Sequence, residues 1–272
     1  MSTVSLVTGA NQGLGFETAR RLVAAGHHVL VGARSEAKAA EAARRRGSAA
    51  EGLVLDVTSP ADHARAAARI AERHGRLDVL VNNAGVNLGE PWMGNTVLSG
   101  DDATLRATFD TNFFGLVGLT RALVPLLRRS SAGRVVNVSS VLGFFATPDT
   151  LGYSTAKFGV FGFSEAMRGE LRPHGIGVST ICPGVTNTPI VKTGRYRTSG
   201  DTEKIRERTM NGFARFGRAP EMVAHAIERA VIEGRDVVPA APEAWAFWYA
   251  KRWLPKTFER TASWLAARAK AR

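Results

Sequence analysis

The chain has 272 residues, 44% of them hydrophobic and 22% charged, which suits one well-buried α/β domain and is short for two. No run of eighteen or more apolar residues occurs, excluding a membrane-spanning helix, and a single cysteine, Cys182, excludes an internal disulfide and any cysteine-based metal site. The net charge of +12 raises nucleic acid or an anionic membrane as partners, but residues 192–218 hold eight Lys/Arg against three acids and residues 251–272 hold seven against Glu259 alone, leaving the rest nearly neutral.

The opening "MSTVSLVTGA" runs into an apolar strand pattern with no basic stretch and no cleavage site, so a cytoplasmic protein is expected. "VSLVTGA" reads as a strand and 13–26 as a helix ending near Gly26. "HHVLVGA" is the second strand, followed by a helix over about 36–46. "GLVLDV" is the third strand, 60–74 a helix with Pro60 in its first turn, and "LDVLVNNAG" the fourth strand. Over 102–128, Leu105, Phe109, Phe113, Leu116, Thr120, Leu123 and Leu127 recur at three- and four-residue steps, the period of one long helix. "GRVVNVSS" is the fifth strand, 151–172 a helix stopped at Pro173, and "GVSTICPG" the sixth; a helix near 220–233 and a short strand "DVVPA" follow. Strands rich in Val, Ile and Leu that alternate with helices predict a parallel sheet covered on both faces. No linker, repeat or low-complexity segment interrupts it, so residues 1–242 are expected to form one doubly wound Rossmann domain, three-layered, with a mostly parallel seven-stranded sheet.

The first strand ends in Gly9-Ala10-Asn11-Gln12-Gly13-Leu14-Gly15. Glycines there let the backbone turn sharply and approach a pyrophosphate, which the following helix attracts by its free N–H groups and dipole. The spacing, G-x-x-x-G-x-G, departs from the usual dinucleotide fingerprint, but strand before and helix after are the context it requires. The second strand ends Gly32-Ala33-Arg34-Ser35, with no acid before Glu36. Ala33 does not reject a 2′-phosphate and the planar fork of Arg34 can grip one, so NADP(H) is the expected cofactor. Further on, "YSTAK" sets Tyr153 and Lys157 four residues apart, on one face of a helix. A tyrosine titrates near pH 10 and is a sluggish donor at neutral pH; a lysine ammonium close by stabilises the phenolate and lowers that value.

With the glycine turn, "NNAG" at 82–85, Ser140 and Tyr-x-x-x-Lys in order, the chain resembles the short-chain dehydrogenase/reductase family over roughly residues 3–240. "VLVGAR", "VNNAGV" and "TNFFG" are most similar to the monomeric-type NADPH carbonyl reductases, whereas the 13-residue step from Ser140 to Tyr153 is that of the commoner oligomeric members. The resemblance implies a catalytic set of Asn112, Ser140, Tyr153 and Lys157. Tyr153 would protonate the developing alkoxide, Ser140 would polarise the carbonyl, Lys157 would also bind the nicotinamide ribose, and Asn112 would hold a relay water. Strand alternation turns only one of Ser139 and Ser140 into the site; the family spacing implies Ser140. It further implies that Asp56 and Val57 meet the adenine, that Asn83, Ala84 and Gly85 line the cofactor cleft, and that Pro183, Gly184, Val185 and Thr188 hold the nicotinamide end. The six histidines show no ligand spacing, and none is assigned to a metal or to catalysis.

Residues 184–218 lie where the family keeps its variable substrate lid, and their charge suits either an anionic substrate or plain solvation. The segment 243–272 lies beyond the common fold. Trp245, Trp248 or Tyr249, and Trp253 follow one helical face up to Pro255, and Phe258, Ala262 and Leu265 continue a stripe with cations opposite. Such a helix can dock on protein or make peripheral contact with a membrane interface. The expected function is an NADPH-dependent, reversible reduction of a ketone or aldehyde. A reductase of carrier-linked 3-oxoacyl groups and a non-catalytic NADP-binding regulator are the alternatives. The partners expected are a small carbonyl or alcohol substrate and a second copy of the chain, as dimer or tetramer with a monomer open, and no nucleic acid.

Overall fold

The structure is a computed structural model that describes residues 2–87, 101–147, 150–188, 207, 211, 215 and 217–270, some side chains near the carboxyl end aside. Seven strands, β1 (Val4–Val7), β2 (His28–Ala33), β3 (Ala50–Val54), β4 (Val79–Asn82), β5 (Arg134–Val138), β6 (Gly177–Cys182) and β7 (Val237–Pro239), form one sheet in the order β3-β2-β1-β4-β5-β6-β7. Every pairing is parallel, so the expected mostly parallel sheet is wholly so. The helices are α1 (Gly13–Ala24), α2 (Glu36–Arg44), α3 (Pro60–His74), α4 (Asp102–Phe109), α5 (Gly115–Leu127), α6 (Leu151–Leu171), α7 (Pro220–Glu233), α8 (Pro242–Trp253) and α9 (Pro255–Lys270).

Side-chain alternation divides the core between the two faces of the sheet. Leu6, Leu30 and Leu80 point to one face, where Ile70 of α3, Leu119, Leu123 and Leu127 of α5, and Met167 and Leu171 of α6 cover them. Val7, Val29, Val31, Val79, Val81, Val136 and Ile181 point to the other, against Ala19 and Leu22 of α1, Ala42 of α2 and Ile227 of α7. Both faces are apolar because both are covered, the condition a parallel sheet requires. Local signals set the helix ends. Ser59 caps α3 by accepting from Asp62 N at 3.2 Å, Pro60 occupies its first turn, and Gly75 closes it with φ 73°.

One expectation is corrected and one is refined. The strand expected over "GLVLDV" ends at Val54, so Asp56 and Val57 lie in the turn beyond it. The helix expected over 102–128 runs without interruption from Asp102 to Leu127, and within it Asp110–Phe114 form a π-turn between α4 and α5. Asn112, fully buried there, pairs its amide with both backbone groups of Val86: Oδ1 accepts from Val86 N and Nδ2 donates to Val86 O, each at 2.8 Å. One extra residue in the turn aims that amide inward, the usual consequence of a π-bulge.

Candidate active site

The site begins at the carboxyl ends of the central strands, where open α/β sheets bind ligands. Thr8, the residue after β1, is buried and its Oγ1 accepts from Asn83 N at 3.0 Å and from Ala84 N at 2.9 Å. Asn83 Nδ2 in turn donates to Thr8 O at 2.9 Å and Gly9 O at 3.3 Å. The turns after β1 and β4 therefore brace each other, and Asn83 acts on the glycine turn itself. Gly9 (φ 62°) and Gly13 (φ 56°) adopt left-handed conformations, and a methyl group on Gly15 would collide with Asn83 Nδ2 and Gly9 O. Gln12, at the N-cap of α1, makes no side-chain capping bond and the first turn holds no acid, so the helix N–H groups remain available to an anion. Asn11 and Gln12 form the rim of this turn, while Leu14 packs on the core.

At the end of β2, Ala33 is buried and Arg34 exposed, and Ser35 caps α2. Asp56 Oδ1 accepts from Thr58 N at 2.9 Å and Thr58 Oγ1 at 2.8 Å; Val57 is buried, and its carbonyl accepts from His63 Nε2 at 2.7 Å. A glycine-lined turn, an uncapped helix start, no acid at the end of β2 and a cation beside it fit a nicotinamide dinucleotide, including one with a 2′-phosphate.

The second half of the site lies between β5, α5 and α6. Lys157 is buried, and its Nζ donates to Val138 O at 2.8 Å and lies 5.7 Å from the centre of the Tyr153 ring. Burial lowers its pKa to about 8, because the ammonium has lost its water. A Cβ built on Gly85 would lie 3.1 Å from Asn112 Oδ1 and 3.7 Å from Lys157 Nζ, so these two groups flank the turn after β4. The two serines after β5 differ in use. Ser139 Oγ donates to Lys157 O at 2.9 Å, which spends its proton on α6. Ser140 Oγ accepts from Leu142 N at 3.1 Å, which leaves its own proton available to an incoming oxygen. Half-buried Tyr153, buried Lys157 and buried Asn112 thus come together from one helix and one π-turn.

A polar chain behind the site was not read from the sequence. Asn82 Nδ2 donates to Thr120 Oγ1 at 2.9 Å and Asn137 Oδ1 at 2.8 Å, and Asn137 Nδ2 donates to Ser164 Oγ at 2.9 Å. The asparagines in otherwise aliphatic strands, "VLVN" and "RVVNV", were the signal for it.

Residues 3–198 match the family model described as short chain dehydrogenase. The chain belongs to the short chain dehydrogenase family. It is 40% identical over 208 residues to a Streptomyces virginiae protein named as a ketoacyl reductase of monensin polyketide synthase, covering 74% of this chain and 78% of that one. It is 35% identical over 268 residues to Probable oxidoreductase EphD of Mycobacterium tuberculosis; that match takes in 96% of this chain but only 44% of EphD, so the chain spans less than half the length of that relative. Among solved structures, a short chain dehydrogenase from Burkholderia cenocepacia in complex with NADP superposes with a TM-score of 0.78 at 25% identity, covering 96% of this chain and 97% of the other. Another from Burkholderia phymatum, in complex with NAD, gives 0.80 at 24%, covering 92% and 93%.

Beyond the residues that the family model matches, the carboxyl-terminal helices of this short chain dehydrogenase pack against the segment that follows Ser140. Pro183 is buried and its carbonyl accepts from Val141 N at 2.9 Å; Gly184 and Thr188 are half-buried and Val185 exposed. Of the expected lid, residues 189–206 and most of 208–216 lie outside the described residues, as do 88–100 of the loop after β4. Its two ends are joined: Asn187 N donates to Arg218 O at 2.9 Å and Arg218 N to Val185 O at 2.8 Å. Arg218 then pairs with Glu243 of α8 at 3.0 Å. Ala241, Ala244 and Trp248 pack on Val141, Phe144, Phe161 and Cys182, whose thiol burial pushes up to about 12. Phe145 meets both Phe247 of α8 and Phe258 of α9. The helical stripe expected in the tail is thereby divided: Trp248 turns inward, and Trp245, Tyr249 and Trp253 face out.

Proposed function

We propose that the protein is an NADPH-dependent oxidoreductase that reduces a ketone or aldehyde to an alcohol, reversibly. The observation that carries this reading is the buried Lys157 ammonium, held at 2.8 Å from Val138 O beside the Tyr153 ring. A cation kept in a dry site at the cost of its hydration needs a reason, and lowering the pKa of an adjacent phenol is one. Bound NADPH supplies the hydride. Tyr153 gives its phenolic proton to the carbonyl oxygen as negative charge builds there. Ser140 Oγ donates a hydrogen bond to the same oxygen and polarises it before transfer. Lys157 stabilises the phenolate left behind, and Asn112, anchored on Val86, holds the water through which the proton is restored. In the oxidising direction the same groups run in reverse, with the tyrosinate as base.

Arg34 is the residue proposed to select NADP(H), by pairing with the 2′-phosphate. The test is Kd for NADPH and NADH in wild type and Arg34→Asp. A preference inverted toward NADH is expected, and an unchanged preference would refute the assignment. The reaction is tested with a panel of carbonyl compounds, following NADPH consumption in wild type and Tyr153→Phe; wild-type turnover in the variant would refute the mechanism. A second substrate reading is a 3-oxoacyl group on an acidic carrier. The similarity to the Streptomyces virginiae protein supports it, as does the concentration of Lys/Arg over 192–218. A carrier-linked substrate preferred over its free thioester analogue, with the preference lost in high salt, is the result expected of that reading.

A further inference from the structure

Among the described residues, one group of potential metal ligands stands apart from the site above: His28, Glu51 and His74. They are far apart in the chain. His28 opens β2, Glu51 is the second residue of β3, and His74 ends α3. Parallel pairing sets Glu51 opposite Leu30, two residues beyond His28, so His28 and Glu51 share the face of the sheet that α3 covers. One ligand atom from each lies within 4.8 Å of the other two. Glu51 Oε1 is 3.1 Å from His74 Nε2, and the two imidazole rings are 5.0 Å apart, tilted by 44°.

The atom that calls for explanation is His28 Nε2, which is buried and has no hydrogen-bond partner. A buried ring nitrogen is normally satisfied, and an imidazole that has one without a partner, 5.0 Å from a second imidazole and within ligand reach of a carboxylate oxygen, is poised for a ligand that bonds all three. Glu51 is arranged accordingly. Its Oε2 is held by Arg73 at 2.5 Å and Arg69 at 3.5 Å, leaving Oε1 turned toward the histidines. Outer partners on the distal oxygen orient carboxylate ligands in this way. His74 also sits at the carboxyl end of α3, where the helix dipole favours a cation.

The same arginines decide which cation. With Arg69 and Arg73 beside Glu51, the surroundings already carry net positive charge, so an ion held by charge alone, such as Mg²⁺ or Ca²⁺, is disfavoured. Two imidazoles and one carboxylate are the donor set of a borderline metal that gains from bonding to nitrogen, with water in the fourth position. Tetrahedral zinc places its ligand atoms ~3.3 Å apart, which the Glu51–His74 pair at 3.1 Å already matches, and His28 offers a ligand atom within 4.8 Å of both.

We propose that His28, Glu51 and His74 bind one Zn²⁺, which ties the amino ends of β2 and β3 to the end of α3. The site lies at the opposite end of β2 from Arg34, roughly 20 Å away at ~3.3 Å per residue, so it acts on stability and takes no part in hydride transfer.

The test uses the full chain without an affinity tag, stripped with a chelator. Titration with ZnCl₂ is expected to give one zinc per chain and a melting temperature that climbs with free zinc, while MgCl₂ produces no shift. His28→Gln and His74→Gln should each weaken zinc binding at least tenfold; His225→Gln, next to Glu228 on the surface, should leave it unchanged. X-ray absorption on the zinc-loaded wild type should show two imidazoles and one or two oxygens, and this decides the matter even where a variant folds poorly. No zinc-dependent shift, equal binding by the His28 and His74 variants, or a spectrum with fewer than two imidazoles overturns the proposal. Activity toward carbonyls should be the same with and without zinc, so the outcome is independent of the proposed reaction.

Discussion

The glycine-lined end of the sheet and the carboxyl-terminal helices are held in place by different physics. At the first, few polar atoms hold fixed positions through short hydrogen bonds: Thr8, Asn83, Asn112 and Lys157 each anchor to named backbone groups. At the second, α8 and α9 are held by ring-on-ring contacts, Phe144 on Trp248 and Phe145 on both Phe247 and Phe258. Directional bonds specify chemistry and tolerate little substitution. Apolar contacts specify only burial and permit many sequences of similar volume. The difference predicts where turnover and stability separate when residues are changed.

The largest effect belongs to the directional side. Tyr153→Phe removes one oxygen and no packing, so kcat should fall by ~10²–10⁴ while the melting temperature stays within a few degrees. Equal losses in both would show that Tyr153 is structural. On the apolar side, Trp248→Ala opens a gap against Phe144 and Phe161. It should cost ~2 kcal/mol in urea unfolding, since the ring is only half-buried, and lower kcat less than tenfold. A loss of turnover as large as that of Tyr153→Phe would mean that α8 positions the reacting groups directly.

How legible each side was in the sequence follows from the same contrast. The turn at Gly9–Gly15 and the Tyr153/Lys157 pair are local: their spacing along one turn or one helical face contains the geometry. The π-turn at Asn112 was not legible, because the bonds its amide makes there go to Val86, which a different segment brings to it. Likewise Ser139 and Ser140 are chemically identical in sequence, and only α6 packing on β5 gives one a partner in Lys157 O. Among the tail aromatics, periodicity gave a helix but no direction. Which of Trp245, Trp248 and Tyr249 turned inward depended on where Val141 and Phe144 left a hollow.

Lys157 sharpens the comparison because it belongs to the directional side yet works against stability. Its pKa is lowered to about 8 by burial, so below that pH the folded protein carries a charge it would rather hold in water. Between pH 8 and the ordinary lysine value of 10.5 the folded chain releases the proton while the unfolded chain retains it. The unfolded state then binds more protons, and stability must rise with pH through that window. Lys157→Met should therefore be inactive but more stable than wild type at pH 7, by ~1–2 kcal/mol after allowing for the lost bond to Val138 O. That advantage should shrink by pH 9.5 as wild type gains. A variant less stable at pH 7 would mean that the ammonium is satisfied by more than the one carbonyl.

The smallest effect should come from the outer face of the helix whose inner face carries Trp248. Trp245, Tyr249 and Trp253 are 37%, 53% and 79% exposed, each more than Trp248, so a smaller share of each ring leaves water on folding, least at Trp253. Replacing all three with serine should change urea stability by less than ~0.5 kcal/mol at Tyr249 and Trp253, somewhat more at Trp245, and leave kcat unaltered. Trp248, one residue from Tyr249, costs several times as much, because helical rotation of about 100° per residue separates a docked face from a solvated one. If the outer ridge meets a membrane, wild type co-sediments with anionic vesicles and the triple variant does not; equal sedimentation of the two ends that reading. A triple variant that lost turnover instead would break the comparison at its base, since it would give an exposed apolar face the role that the buried polar groups are expected to hold.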